Sequence, residues 1–342
     1  MKAVRMTAVN QPLINQDLPI PSIGDNEVLV RIRAAGICHS DSHYRAGKSA
    51  VYPLPMTLGH EISGEVESTG ILVKTVKKGD RVCIHYLLSC GQCIYCNRGY
   101  EQFCTTGSML GHYSNGGYAE FIVVPERNVI ILPKEISFEQ GAILMCSSAT
   151  SFHALRKSRL IPGETVAVFG VGGLGISAIQ IAFAFGALDV FAIDIHPEKL
   201  KLAESFGAIP INAAKKDPVT EIFGISKGKG VDVALELIGL PTTMQQAVHS
   251  LAIMGRAVIA GISDKPFEVN TYREVLGKEA EIIGSNDHLL HELPILIELV
   301  RRGKIDLSKV VNRTVNLDAD IINTVLSELE KYSSTIRTVI IP

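Results

Sequence analysis

The stretch CGQCIYCNRGYEQFC, from Cys90 to Cys104, holds four of the chain's seven cysteines in the spacing C-x2-C-x2-C-x7-C. Two-residue spacers let neighbouring thiolates converge on one tetrahedral ion, and four thiolates leave no position for water or substrate. Chemistry of that kind is structural: Cys90, Cys93, Cys96 and Cys104 would close around zinc and pin a loop. Two disulfides or four free thiols are the alternatives. Against them stand the even tetrad, its metal spacing and the expectation of a reducing compartment.

Cys38, Cys83 and Cys146 remain. Cys38 stands in AAGICHSDSHY and Cys146 in AILMCSSAT, while His60 stands in TLGHEISG. Two thiolates and an imidazole leave a fourth position open on zinc, which is the arrangement of a catalytic site. The three lie far apart in sequence, so spacing leaves them open between a ligand set and buried, inert side chains. Cys83 has no partner in the pattern and reads as a buried thiol.

A second constellation is TVAVFGVGGLG, where Gly170, Gly172 and Gly175 follow G-x-G-x-x-G, with Gly173 and Leu174 between the last two. The first glycine permits a tight turn, the second lets backbone approach a pyrophosphate, and the third allows close helix packing. The phosphates would sit at the positive helix N-terminus. Asp194 follows Gly175 by 19 residues, close to the ~20 expected of an acid that accepts from a ribose 2′-hydroxyl. A carboxylate there repels a 2′-phosphate, and the next residues, Ile195 and His196, bring no arginine to welcome one, so NAD is expected over NADP. The plain alternative is a βα turn with a surface aspartate.

These residues need elements to hold them. From Met1 to about Pro133, EVLVRIRAAGI, EISGEVESTG, GDRVCI and YAEFIVVPERNVIIL read as strands between turn residues, at the spacing of an all-β barrel. SFEQGAILMCSSATSFHALRK then has helical spacing, with Ser137 as N-cap and Gln140 three residues on. From TVAVFG to RAVIAGI, strands and helices alternate as βαβ units on a parallel sheet, among them the helix PTTMQQAVHSLAIMG. After about Asn286 a helix, HLLHELPILIELVRRGKI, leads to a closing strand in TIRTVIIP. The expected fold class is α/β with a β-rich domain, the βα domain being inserted near the end of the β domain.

A length of 342 residues suits two domains, and a net charge of −2 without a basic run gives no footprint for nucleic acid. The opening MKAVRMTAVNQPL alternates like a strand and lacks the apolar core of a signal peptide, and no apolar run reaches the ~18 residues of a membrane span. The expected location is the cytoplasm, with no membrane partner.

GHEISGEVESTGILV, beginning Gly59-His60-Glu61, together with the four-cysteine lobe and GVGGLG, resembles the medium-chain zinc-dependent alcohol dehydrogenases over essentially the whole chain. The resemblance implies a GroES-like β-barrel catalytic domain over residues 1–146, with its structural zinc lobe at about 90–104. It further implies an NAD-binding Rossmann domain over 147–286 and a C-terminal return to the catalytic domain over 287–342. It makes Cys38, His60 and Cys146 ligands of a catalytic zinc, with Glu61 the acid that can approach it. Ser40 falls at the hydroxyl proton carrier, His43 at the histidine that passes the proton to solvent, and Asp41 at the carboxylate behind the histidine ligand. His39 and Arg337 match pyrophosphate-contacting positions, Lys199 the ribose-contacting lysine, and Tyr86 a pocket wall. Two zinc ions and NAD per subunit are implied, as are an alcohol or carbonyl substrate and a homodimer or homotetramer.

Each residue also has a plain reading. Ser40 and Asp41 suit helix caps, Lys199 and Arg337 solvated charges, and His85, His112 and His153 packing positions. Two rivals stand beside the alcohol dehydrogenase reading. One is a zinc polyol or sugar dehydrogenase of the same superfamily, in which a carboxylate tends to replace the thiol at Cys146. The other is a non-catalytic zinc- and nucleotide-binding regulator, against which Ser40, His43 and the open ligand set argue.

Overall fold

The computed structural model describes residues 1–331 and 336–342. The chain divides into two compact units: Met1–Cys146 with Leu289–Arg301 and Leu307–Pro342, and Ser147–His288 with Arg302–Asp306.

The first unit is built on a seven-stranded sheet. Its long central strand Glu27–Ile37 pairs antiparallel with Glu61–Thr69, with Phe121–Pro125 and with the closing strand Arg337–Ile341. Arg81–Ile84 and Val129–Ile131 extend one side, and Val311–Asn316 lies parallel to the closing strand on the other. A parallel pair needs a crossover, here the helix Ala319–Glu330. Plain alternation would put Leu29 on the outer face, but Val28, Leu29 and Val30 are all buried. The register against Glu61–Thr69 shifts between Leu29 and Val30 and again between Ile32 and Ala34. Each bulge turns the strand and keeps branched side chains inward. A second, three-stranded sheet joins Ile14–Asp17, Lys2–Met6 and Met56–Thr57. The core collects Val4, Met6, Val30, Ile32, Leu58, Ile62, Val82, Tyr118 and Ile340.

The second unit carries a six-stranded, all-parallel sheet in the order Ile209–Asn212, Asp189–Asp194, Thr165–Phe169, Val231–Glu236, Leu251–Ile259, Glu281–Gly284. In sequence that order is third, second, first, fourth, fifth, sixth, so the connections reverse direction between the first and fourth strands. An open α/β sheet receives ligands outside the carboxyl ends of its strands at such a switch point. Val166, Ala167, Val168 and Phe169 are fully buried, as a strand covered on both faces requires.

Ser137 caps the helix Phe138–Ile143: its hydroxyl accepts from Gln140 N at 3.3 Å, and Gln140 Oε1 accepts from Ser137 N at 3.2 Å. The helical run expected over Ser137–Lys157 is not uniform. A π-turn, Leu144–Ser148, separates that helix from Ala149–Ser158 and contains Cys146. Widened turns of this kind re-aim a side chain within a helix. The helix expected through Gly255 stops at His249, because Leu251 already pairs with Val231 in the sheet, and Met254 turns through a positive φ of 63°. Among the described residues no helix is long and apolar enough to cross a membrane.

Candidate active site and metal centres

The four lobe sulfurs form one cluster, their ligand atoms all within 4.8 Å of one another. None is in a disulfide. Backbone N–H groups point at them: Cys93 N donates to Cys90 Sγ at 3.3 Å, Cys96 N to Cys93 Sγ at 3.5 Å and Cys90 N to Cys104 Sγ at 3.3 Å. Those donors favour thiolate. They pull the Cys93 thiol down to about 6, the amide of Cys96 contributing most. A closed set of four sulfurs with amide support fits a structural zinc.

A second cluster brings Cys38, His60, Glu61 and Cys146 within the same 4.8 Å, and all four are buried. Cys38 follows the central strand and is the N-cap of the helix His39–Arg45, while His60 immediately precedes the neighbouring strand that Glu61 opens. The Cys146 sulfur beside it is the main cause of a Cys38 thiol held well below the usual thiol range, with His60 and Arg337 adding to the effect against the cost of burial. Burial alone would depress the His60 imidazole; the Asp41 carboxylate, with Cys38 behind it, overrides burial and lifts it to about 10. These groups hold charge where no water solvates it. A metal ion held by the thiolates would displace the imidazole proton and answer the same negative charge, and two sulfurs with a neutral nitrogen suit zinc.

Asp41 organises this cluster. Fully buried, its Oδ2 accepts from Cys38 N at 2.9 Å and from the Tyr118 hydroxyl at 2.9 Å. Its Oδ1 accepts from Gly59 N at 3.3 Å and faces His60 Nδ1 at 3.4 Å. A ligating imidazole held by a carboxylate at its other nitrogen has its tautomer and ring plane fixed. Tyr86 closes the other side, edge-on to the His60 ring at 5.0 Å between centroids.

Glu61 is held from the far end of the sequence. Its Oε1 is ion-paired with Arg337 Nη2, and Arg337 also donates to Ile37 O at 3.4 Å. A Glu61 carboxylate oxygen belongs to the metal-competent cluster, and among the described residues the buried Glu61 Oε2 has no hydrogen-bond partner. Its path requires Gly36, where any Cβ would overlap that oxygen. Arg337, expected at a pyrophosphate, is thus buried against Glu61. Ser40 Oγ lies 3.8 Å from Cys38 Sγ, and the His39 and His43 rings meet edge-on at 4.6 Å. Burial lowers the His43 pKa below its ordinary value, with His39 and Lys48 adding to the shift and Cys38 and Glu330 opposing it.

In the second unit the three glycines do different work. Gly170 takes a φ of 97°, a conformation in which a side chain is strained. A Cβ on Gly175 would overlap the Gly170 carbonyl oxygen, whereas one on Gly172 would meet no atom of the described residues within 4 Å. The space at Gly172 suits an incoming group. Gly173 begins the helix Gly173–Ala184, and Leu174 O accepts from the Ser151 hydroxyl at 2.8 Å. Asp194 ends the second strand, accepting from Val171 N and His196 N at 2.9 Å each, so it is tied to the glycine loop itself. Lys199 is buried, and burial depresses its ammonium while Asp194 partly offsets the effect.

Sequence reasoning missed Tyr118 and Gly36. A glycine inside a strand pattern was a signal for close approach. Tyr118 gave none, because its role is to meet Asp41 across the barrel.

The alcohol dehydrogenase GroES-like domain family matches residues 24–134, and the zinc-binding dehydrogenase family matches residues 173–302. An NAD-dependent alcohol dehydrogenase of Sulfurisphaera tokodaii is 34% identical, covering 100% of both chains. The alcohol dehydrogenase of Aeropyrum pernix superposes with a TM-score of 0.91 at 36% identity, covering 100% of each chain. The 2R,3R-butanediol dehydrogenase of Bacillus subtilis superposes with a TM-score of 0.90 at 31% identity, covering 100% of this chain and 99% of that one.

Replacing Cys93 with serine is expected to halve bound zinc and lower the thermal midpoint by roughly 5 °C or more. Metal analysis and calorimetry check it. An unchanged midpoint would show that the lobe is not a structural clip.

Proposed function

Because the chain belongs to the medium-chain zinc-dependent alcohol dehydrogenase family, we propose that it interconverts primary or secondary alcohols and aldehydes or ketones, with hydride passing to and from NAD. The observation that carries this reading is the buried Cys38–His60–Glu61–Cys146 set. Cys38, His60 and Cys146 would hold the catalytic zinc, with Glu61 able to approach it, and Cys90, Cys93, Cys96 and Cys104 would hold the structural one. Zinc supplies Lewis acidity that lowers the pKa of an alcohol hydroxyl and polarises a carbonyl, and NAD supplies the hydride acceptor.

The chain's own residues position and deprotonate. Asp41 fixes the His60 ring, so the ligand set is preorganised before substrate arrives. Ser40 Oγ, beside Cys38 Sγ, takes the proton of the substrate hydroxyl. His43 passes it towards solvent, and its depressed pKa leaves a neutral, proton-accepting imidazole at neutral pH. Tyr86, buried against His60, forms an apolar wall. Gly170, Gly172 and Gly175 shape the pyrophosphate turn; Asp194 and Lys199 face the ribose. His39 is assigned to the pyrophosphate, whereas the Arg337 guanidinium is taken up by Glu61.

Three outcomes test this. Cys38→Ser should abolish NADH production from alcohols, read at its absorbance band, while the lobe keeps its zinc; full activity in a metal-verified variant would sink the assignment. Asp194→Gly should raise the NADP-to-NAD ratio of kcat/KM by about tenfold or more, and an unmoved ratio would remove the ribose role. Since neutral His43 is the competent form and its pKa is depressed, alcohol oxidation should fall only as pH drops below the ordinary imidazole value of about 6.5. In His43→Gln that acid limb should vanish, along with about 10²-fold of rate. An unchanged profile would exclude His43 as the carrier.

A further inference from the structure

Glu236 is a fully buried carboxylate that the chemistry above does not use. It ends the fourth strand of the parallel sheet, beside Phe169 at the end of the first, and these two strands flank the switch point. Its Oε1 accepts three hydrogen bonds, from Ile238 N at 3.0 Å, Gly239 N at 2.9 Å and the Thr243 hydroxyl at 2.7 Å. Its main-chain oxygen accepts from Ala260 N at 2.9 Å and Gly261 N at 3.0 Å, in the loop after the fifth strand. Among the described residues its Oε2 has no hydrogen-bond partner, and with Gly239 N it occupies the space where a Cβ on Gly261 would lie. One residue therefore gathers the loops that follow two strands.

The third link reaches the glycine loop. The Ile238 side chain occupies the space where a Cβ on Gly170 would lie, and Ile238 is placed by its own N–H bond to Glu236. Gly239, at a φ of 87°, packs in turn against the backbone of Ile262. Burying a carboxylate carries a large desolvation cost, and three donors on one oxygen are what make it tolerable. A hydrophobic residue would suffice if packing alone were needed; an acceptor is needed because two consecutive backbone amides and a hydroxyl must be satisfied inside the sheet's carboxyl edge.

We propose that Glu236 is a positioning residue of the dinucleotide site: it fixes the loop Leu237–Gly239 so that Ile238 seats against Gly170 and holds the pyrophosphate turn in its binding form. This rests on the coenzyme reading of the glycine loop. Loss of the acceptor frees the loop, and the penalty falls on coenzyme binding while the metal set keeps its ligands.

The test is NADH titration of the zinc-loaded full chain, read by NADH emission, since the protein has no tryptophan to interfere. Glu236→Ala should raise the Kd for NADH about tenfold or more. Glu236→Gln, which keeps an acceptor oxygen, should stay within about threefold. In turnover the Glu236→Ala loss should appear in KM for NAD rather than in kcat, with zinc content unchanged. Wild-type affinity in Glu236→Ala, or an equal loss in Glu236→Gln, would overturn the acceptor role. If Glu236→Ala does not fold, Gly261→Ala decides, because its Cβ would overlap both Gly239 N and Glu236 Oε2 and so must shift the loop Leu237–Gly239; a folded Gly261→Ala with wild-type Kd overturns the proposal. Wild-type protein that bound neither NADH nor NADPH would instead bring down the coenzyme reading, and this inference with it.

Discussion

The first unit depends on the burial of one carboxylate. Asp41 has no access to water, so its charge must be answered from within, and the answer comes from four groups: the Cys38 and Gly59 amides, the Tyr118 hydroxyl and the His60 ring. Removing any partner of a buried charge costs far more than the same contact yields at a surface. The strand end at Cys38, the turn at Gly59 and the side chain of Tyr118 are therefore constrained together. Gly59 has a φ of 92°, and a Cβ there would overlap the Tyr118 ring. Asp41 thus fixes both Cys38, through its amide, and the turn that carries His60.

The second unit solves a related problem at the carboxyl edge of its sheet. Asp194 and Glu236 end two of its strands, and each spends its oxygens on backbone amides of the following turns. Asp194 remains partly exposed, which suits recognition of a ribose. Glu236 is sealed, which suits scaffolding. Two acids in like positions thus differ in their access to water.

The parts legible in the sequence are those whose geometry is local. The cysteine tetrad and the glycine loop each lie within fifteen residues, and short spacers fix how their atoms converge. The alternation of strands and helices in the middle of the chain marked the parallel sheet for the same reason. Cys38, His60 and Cys146 could be grouped only through resemblance, because tertiary packing brings them together. The π-turn at Leu144–Ser148 was hidden as well: its residues have ordinary helical spacing, and only the structure shows the widened turn that carries Cys146. Met254 likewise looked helical until the pairing of Leu251 with Val231 claimed its neighbours for the sheet.

The ion pair between Glu61 and Arg337 sets an order of assembly. Glu61 is made early, yet the cation that neutralises it stands on the closing strand, after the whole of the second unit's sheet. Without that strand in place, a closed barrel would bury the Glu61 carboxylate with no cation beside it. The closing strand is hydrogen-bonded to the central one through Ile37, Gly36 and Ala35, the stretch that includes the glycine Glu61 passes. Closure around Glu61 thereby waits on Arg337–Ile341, which follows every strand of the second unit's sheet in the chain.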